Sequence, residues 1–167
     1  VISFKSKGED IYLKSVKDGF NKEAKFDYGH LSDNNVYTKG IPSTAQTRNS
    51  LYDVQNGTAI VQSSYLSNGI SGLERIDYKY EGGLIHREGI GFLGFQKVVT
   101  ENVELNIRSE SISILSSEPG HVSLIPAGNK TFADNNLLSE SATGYDIVNI
   151  GNHRWKIELK DQISIDH

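Results

Sequence analysis

The chain has 167 residues, with 17 Lys and Arg against 21 Asp and Glu, and it contains no Cys and no Met. A formal net charge of -4 gives no electrostatic reason to expect a nucleic-acid partner, and no apolar run approaches the roughly 20 residues that span a bilayer. Without Cys, disulfides, thiolate metal sites and thiol nucleophiles are excluded. Because the chain begins at Val1 instead of Met, we interpret residues 1–167 as a single segment of a larger protein.

Period-two patterns of β-branched and aromatic residues recur along the chain and predict strands. In chain order they fall at 2–6, 11–16, 58–65, 75–80, 92–100, 103–108, 112–115, 121–125, 145–150, 155–159 and 162–165. Turn signals separate them, among them Asn68-Gly69, Gly82-Gly83 and Gly151-Asn152. Short, regularly spaced strands with little or no helical periodicity predict an all-β fold, built from successive antiparallel hairpins that form a curved or sandwich-like sheet.

Two stretches depart from the strand pattern. Residues 33–50 are rich in Asn, Ser and Thr, which predicts a linker-like excursion between a hairpin region, 1–32, and a main β region, 51–167. Residues 116–136 contain Pro119-Gly120 and Pro126, and we predict a second loose region there.

The run Gly89-Ile90-Gly91-Phe92-Leu93-Gly94 spells G-x-G-x-x-G. This pattern holds a dinucleotide phosphate when it follows a buried strand and opens a helix. Here it continues into Phe95 to Thr100, which has a strand pattern. We therefore interpret it as a glycine-kinked strand and predict no cofactor.

Catalytic and metal-binding patterns are weak throughout the chain. The five histidines are scattered, without the spacing of a metal site, at positions His30, His86, His121, His153 and His167. The triplets 33–35 and 134–136, both Asp-Asn-Asn, offer oxygens to calcium but lack the rest of a calcium loop, so Asx-turns are favoured. We predict neither catalytic nor metal-ligating residues; an enzyme would need a pocket that joins His86 or His121 to a carboxylate.

Several segments, taken in order, resemble one protein family along nearly the whole chain. The most specific block runs from Ile76 to Gly83, then His86, then Gly89 to Phe95, and it is similar to "Y-x-Y-x-G … h-x-x-G-R-G-F-L-G-F". Earlier, Val16 to Tyr28 resembles "V-x-D-G-x-G … t-x-F-x-Y". Both patterns belong to the SpvB-like region of insecticidal toxin complex B components, where that region adjoins Rhs/YD repeats. Ile90 stands at the usual Arg position, and the YD repeats themselves are absent, so the segment would precede them.

The resemblance implies a non-catalytic β-scaffold segment of a very large exported protein, located outside the cell or at its surface. In that family, strips of successive hairpins help to wall a shell around a toxic C-terminal polypeptide. The implied partners are the rest of the parent chain and this toxin cargo. The implied structural motif comprises Tyr78, Tyr80, Gly89, Gly91, Phe92, Gly94 and Phe95.

The aromatic content supports an alternative function. A secreted carbohydrate- or cell-surface-binding β-sandwich would expose two or three of the 8 Tyr, 6 Phe and 1 Trp as a stacking platform for glycans. In either case, the open sheet edges of an isolated segment predict weak self-association.

Overall fold

The computed structural model describes residues 2–7, 10–40, 51–69, 72–118, 121–152 and 154–167, and in these ranges every regular element is a β-strand. All 12 strands belong to one sheet, which confirms the all-β prediction. The strands are β1 (Ile2–Lys7), β2 (Asp10–Lys17), β3 (Glu23–His30), β4 (Tyr37–Thr38), β5 (Leu51–Asp53), β6 (Ala59–Ser67), β7 (Leu73–His86), β8 (Gly91–Asn102), β9 (Ile107–Glu118), β10 (His121–Ala133), β11 (Asn136–Asn149) and β12 (Trp155–Asp166).

The strand order follows the chain closely. Neighbours in the sheet are β1-β2-β3-β6-β7-β8-β9-β10-β11-β12, all antiparallel, while β4 and β5 pair separately with β7. Local turn chemistry supports this order: Asp134 and Asn135, which join β10 to β11, both have positive φ, at 49° and 64°. Two consecutive positive φ values are typical of the tight hairpin turn that matches strand twist.

The second half of the sheet consists of three long hairpins, β7–β8, β9–β10 and β11–β12, each paired along almost its whole length. Adjacent hairpins pair only over half of that length. β8 pairs β9 over 97–102 and 107–112, and β10 pairs β11 over 128–133 and 136–142. The hairpins therefore share a joined base. Beyond it, β9–β10 and β11–β12 continue as separate two-stranded ribbons, whereas β7 of the first hairpin also pairs with β5.

Each of these hairpins has a register shift near the level where the ribbons separate. The shifts lie between Leu84 and Ile85, between Pro126 and Gly128, and between Gly144 and Tyr145. A bulge places one extra residue in one strand, bends that strand and increases its twist. We therefore attribute the divergence of the ribbons to these bulges.

The hydrophobic core lies around β6, β7 and β8. Leu31, Tyr37 and Val54 form a buried cluster, against which side chains of the sheet pack, namely Ile60, Tyr80, Ile85 and Phe95. Val36 and Tyr37 belong to the stretch predicted as a linker-like excursion, and each is only 1% exposed. Residues 33–40 are thus part of the packed structure, and Tyr37 and Thr38 form β4, which pairs with β7. Residues 41–50 of the excursion are outside the described residues.

Three local predictions differ from the structure. Gly82-Gly83, predicted as a turn, lies inside β7. Residues 103–106, predicted as strand, form the turn between β8 and β9. The region 116–136, predicted as loose, is largely strand, with residues 119–120 outside the described residues. Pro126 is compatible with β10 because it lies beyond the part of β10 that pairs with β11. Its missing N–H therefore removes no backbone hydrogen bond to β11.

Candidate functional site

A buried polar network holds residues 31–40 and 51–54 against the sheet. The Tyr37 hydroxyl donates to Asp53 Oδ1 and accepts the Gly83 N–H at 3.0 Å, while Asp53 Oδ2 accepts the Gly40 N–H. Burial, followed by the hydrogen bond to Asp53, raises the pKa of Tyr37 well above the usual range of a tyrosine. Tyr37 is therefore neutral at physiological pH, and its hydroxyl serves as a structural tie.

Two tyrosines of the implied motif lie next to this network. The ring centroids of Tyr80 and Phe95 are 4.7 Å apart, and the Tyr80 hydroxyl donates to the carbonyl of Val61 at 2.8 Å. Burial raises the pKa of Tyr80 to about 12. Tyr78 stacks on Tyr80 at 6.5 Å, and its hydroxyl shares a hydrogen bond with Ser64 at 3.1 Å. These three motif residues contribute to packing, and their polar atoms already have protein partners.

The motif glycines bend the hairpin and open no helix. Gly89 lies in the turn between β7 and β8, Gly91 begins β8, and Gly94 lies inside β8, with φ of 107°, 84° and 124°. Such angles favour glycine because L side chains rarely adopt them. A Cβ on Gly94 would also lie 3.5 Å from Leu124 Cδ1 of β10, so the neighbouring ribbon approaches this glycine.

The same hairpin exposes a small aromatic surface. Tyr52, Ile85 and Phe92 are neighbours in one cross-strand row over β5, β7 and β8. Tyr52 is 38% exposed and Phe92 51% exposed, and the Arg87 guanidinium lies 4.7 Å from the centroid of the Tyr52 ring. We call Tyr52, Arg87 and Phe92 the ribbon-tip patch. Sequence patterns did not find it, because the row depends on which residues face each other across β5 and β7.

The histidines lie in separate parts of the structure. Their contacts are Gly57 for His30, Glu88 for His86, Ser123 for His121 and Glu140 for His167. His153 is outside the described residues. Neither His86 nor His121 is joined to a carboxylate side chain by these contacts. Over the described ranges, no cluster of three or more His, Asp or Glu side chains is arranged to hold a metal ion.

The first Asp-Asn-Asn triplet has the geometry of a turn. The Asp33 carboxylate accepts the backbone N–H of Asn35 at 2.9 Å, which is an Asx-turn. In the second triplet, Asp134 accepts a hydrogen bond from the Asn106 side-chain amide across the base. Both aspartates therefore stabilise connections between strands.

A shallow groove crosses the joined base of the last two hairpins. Its volume is about 360 Å³, and one row of its lining residues runs Ile112, Gly128, Ala142 and Ile163 over β9 to β12. Small residues at the centre and isoleucines at both ends make a trough with an apolar surface. An ion pair between Lys130 and Glu140, at 3.1 Å, lies beside it.

Charged side chains cross the base next to this groove. Lys97 of β8 pairs with Glu110 of β9 at 3.0 Å, and Arg108 lies 3.6 Å from the same carboxylate. The Arg108 guanidinium also lies 4.3 Å from the centroid of the Phe132 ring. These contacts tie β8, β9 and β10 together by side chains as well as by backbone.

Comparison with known proteins gives no match to any family model, curated protein or solved structure. In the described part of the chain, no helix is long and apolar enough to cross a membrane. Function must therefore be argued from the geometry of the sheet and from the motifs themselves.

Proposed function

We propose that the chain is a non-catalytic β-scaffold segment of a large exported Rhs/toxin-B-like protein, in which it helps to form a shell or surface structure. The supporting observation is the side-by-side arrangement of three long hairpins in one layer, joined at the base and separate beyond it. Such a strip extends by adding hairpins. Its shape is therefore suited to a wall.

The distribution of apolar side chains supports the same proposal. Domains usually bury one face of a sheet against a second layer of structure. On the last two hairpins, large side chains such as Ile114 and Ile163 are instead more than half exposed. A wall segment would have this property, because neighbouring parts of the parent protein would cover these side chains.

Accessibility of single cysteines tests the proposal. The chain has no Cys, so Ile114→Cys and Ile163→Cys each introduce one thiol that a maleimide can label. We expect fast labelling in the isolated chain and labelling slowed by about tenfold or more in the full-length protein that contains it, because covered residues open rarely.

The matched control is Ser32→Cys, which lies at an exposed position in the turn after β3. Its labelling rate should be similar in both contexts. Equally fast labelling of all three thiols in the full-length protein would show that nothing covers the sheet, and the scaffold proposal would then fail.

The ribbon-tip patch supports a second candidate function, the binding of a carbohydrate or a cell-surface glycan. Tyr52 and Phe92 are partly exposed on the same row, and aromatic side chains stack on sugars. In a glycan-array screen, Tyr52→Ala and Phe92→Ala should abolish any binding that the unmodified chain shows. Phe20→Ala, which removes an aromatic side chain exposed by 87% in a distant turn, should leave that binding unchanged. Binding that survives both patch variants would exclude this site.

A further inference from the structure

Strand β12 forms one edge of the sheet and, among the described residues, pairs only with β11. The Ile150 N–H donates to the Arg154 carbonyl, so the backbone of Arg154 faces β11. Backbone groups of successive residues in a strand point to alternate sides. The N–H and C=O groups of Trp155, Ile157 and Leu159 therefore point outward from the edge.

The side chains of this edge divide into an apolar face and a charged face. Trp155, Ile157 and Leu159 share one face, and Ile157 and Leu159 are 44% and 61% exposed. Lys156 and Glu158 are on the other face, where their charged groups lie 2.7 Å apart. The segment 155–159 thus combines outward backbone groups with a charge pattern that alternates in sign.

We propose that two copies of this chain pair antiparallel along the outer edges of their β12 strands, about a two-fold axis at Ile157. In this register Ile157 faces Ile157 of the second copy, and Trp155 faces Leu159. Lys156 of each copy faces Glu158 of the other, so opposite charges meet twice on one face while apolar side chains meet on the other. Directly opposed pairs of both kinds stabilise antiparallel strands.

The existing sheet continues through this contact. Ile157 already faces Ile147 of β11, so pairing would produce a row of four isoleucines across four strands. The contact is short, because the bulge that follows Leu159 interrupts the alternation at Lys160. We therefore expect a weak, reversible dimer.

The opposite edge of the sheet is a poorer partner for β12. The sequence of β1, ISFKSK, contains two Lys and no acidic residue, so it offers nothing complementary to Lys156. Pairing of β1 with β12 of another copy would also be head-to-tail, and such a contact produces growing chains instead of a closed dimer.

Charge reversal tests the register, with self-association measured by sedimentation velocity over a wide concentration range. Position 156 of each copy faces position 158 of the other, so the dimer has two such pairs. Lys156→Glu makes both of them pairs of carboxylates, and Glu158→Lys makes both of them pairs of ammonium groups. Each variant should weaken dimerisation about tenfold or more, because like charges directly opposite destabilise paired strands. An equimolar mixture of the two variants should recover dimerisation as a heterodimer, since every opposed pair then has opposite signs.

The double variant K156E/E158K should dimerise like the unmodified chain, which separates the effect of the register from any loss of folding in the single variants. Lys14→Glu, which changes the charge equally at an exposed position of β2, is the matched control and should have no effect. A chain that stays monomeric at every concentration would overturn the proposal. It would also be overturned if the single variants dimerise like the unmodified chain, or if their equimolar mixture does not dimerise. Assembly that grows beyond the dimer would overturn it as well. This inference concerns the β12 edge alone and does not depend on the proposed scaffold function.

Discussion

From β3 to β8, the segments 31–40 and 51–54 pair with β7 and pack Leu31, Tyr37 and Val54 into a buried cluster, whereas the described residues place no comparable cover on β9 to β12. The buried apolar side chains of the described residues follow this division: all of them except Ile125 belong to residues 31–84. We call these two parts of the molecule the covered region and the ribbon region. They are continuous by backbone pairing, yet they bury apolar surface to very different extents.

The comparison shows that sheet pairing and core formation are separable in this chain. The covered region has a packed cluster and a buried tyrosine network, which give it cooperative stability. The ribbon region depends on backbone ladders and cross-strand pairs, which contribute roughly 0.2–1 kcal/mol each. We therefore expect the ribbon region to open more readily than the covered region.

The largest expected effect is a core deletion in the covered region. Leu84 is fully buried in β7 between Asp53 of β5 and Gly94 of β8. Leu84→Ala should lower the free energy of unfolding by about 3 kcal/mol, because it removes buried methyl groups and leaves a cavity. Leu159→Ala, at a position of the ribbon region exposed by 61%, should cost less than about 1 kcal/mol in dilute solution. Urea unfolding measures both, and equal losses would remove the distinction between the two regions.

A glycine substitution should damage the ribbon region alone. A Cβ on Gly128 would lie 2.2 Å from the backbone oxygen of Ser141, an atom that cannot move without disturbing the β10–β11 ladder. Gly128→Ala should cost about 2 kcal/mol and accelerate amide hydrogen exchange over 136–142. Gly57→Ala, where nothing lies within 4 Å of the added atom, is the control and should change stability by less than about 1 kcal/mol. Faster exchange in β6 and β7 as well would show that the two regions unfold together.

The tyrosine network predicts a smaller effect in the covered region. Tyr37→Phe removes the donor to Asp53 and the acceptor of the Gly83 N–H, so it should cost about 1.5 kcal/mol for buried groups left unpaired. The same residue predicts a pH dependence. Because burial raises the pKa of folded Tyr37 above its ordinary value of 10.0, the unfolded chain loses this proton first as the pH rises.

The stabilising contribution of Tyr37 is therefore complete below pH 10 and decreases as the pH rises above 10. Tyr80, with a folded pKa of about 12, acts in the same direction. Unfolding free energies measured on the alkaline side should fall less steeply in Tyr37→Phe than in the unmodified chain. Parallel slopes would contradict the assigned burial.

The smallest expected effect concerns the surface ion pair beside the groove. Lys130 and Glu140 join β10 to β11 at 3.1 Å, but both side chains are partly exposed to solvent. Lys130→Met should cost only about 0.5 kcal/mol at low salt, and the difference should nearly disappear at about 1 M salt, where screening is strong. A cost that persists at high salt would indicate that packing, and not charge, joins these strands.

Sequence reasoning predicted the features that depend on neighbouring residues. Strand alternation from Arg75 to Tyr80 and the turn at Gly151 are local, and β7 and the positive φ value of Gly151 agree with them. The turn predicted at Gly82-Gly83 was wrong, because both glycines lie inside β7. The cover over β6 to β8 was not predictable in this way. It requires Tyr37 to meet Asp53 and Gly83, which are distant in sequence, and no local pattern encodes that contact.

The part of β10 after Ile125 was missed for a related reason. A proline argues against a strand only if its N–H would face a partner, and Pro126 lies where β10 and β11 have separated. The ribbon-tip patch depends likewise on the register between β5 and β7. Predicting either feature requires the arrangement of strands to be known first.

The separation of the ribbons has a consequence for how this sequence could change over time. Among the described residues, the β9–β10 and β11–β12 ribbons pair only with themselves beyond their bulges, so their lengths are not fixed by a neighbouring hairpin. Inserting two residues into each strand of β11–β12 near the turn would keep every side chain on its present face, whereas inserting a single residue would reverse them. Hairpin length can therefore change by two residues per strand while the joined base stays constant. Related sheets with the same strand order would then differ in how far their ribbons extend from the base.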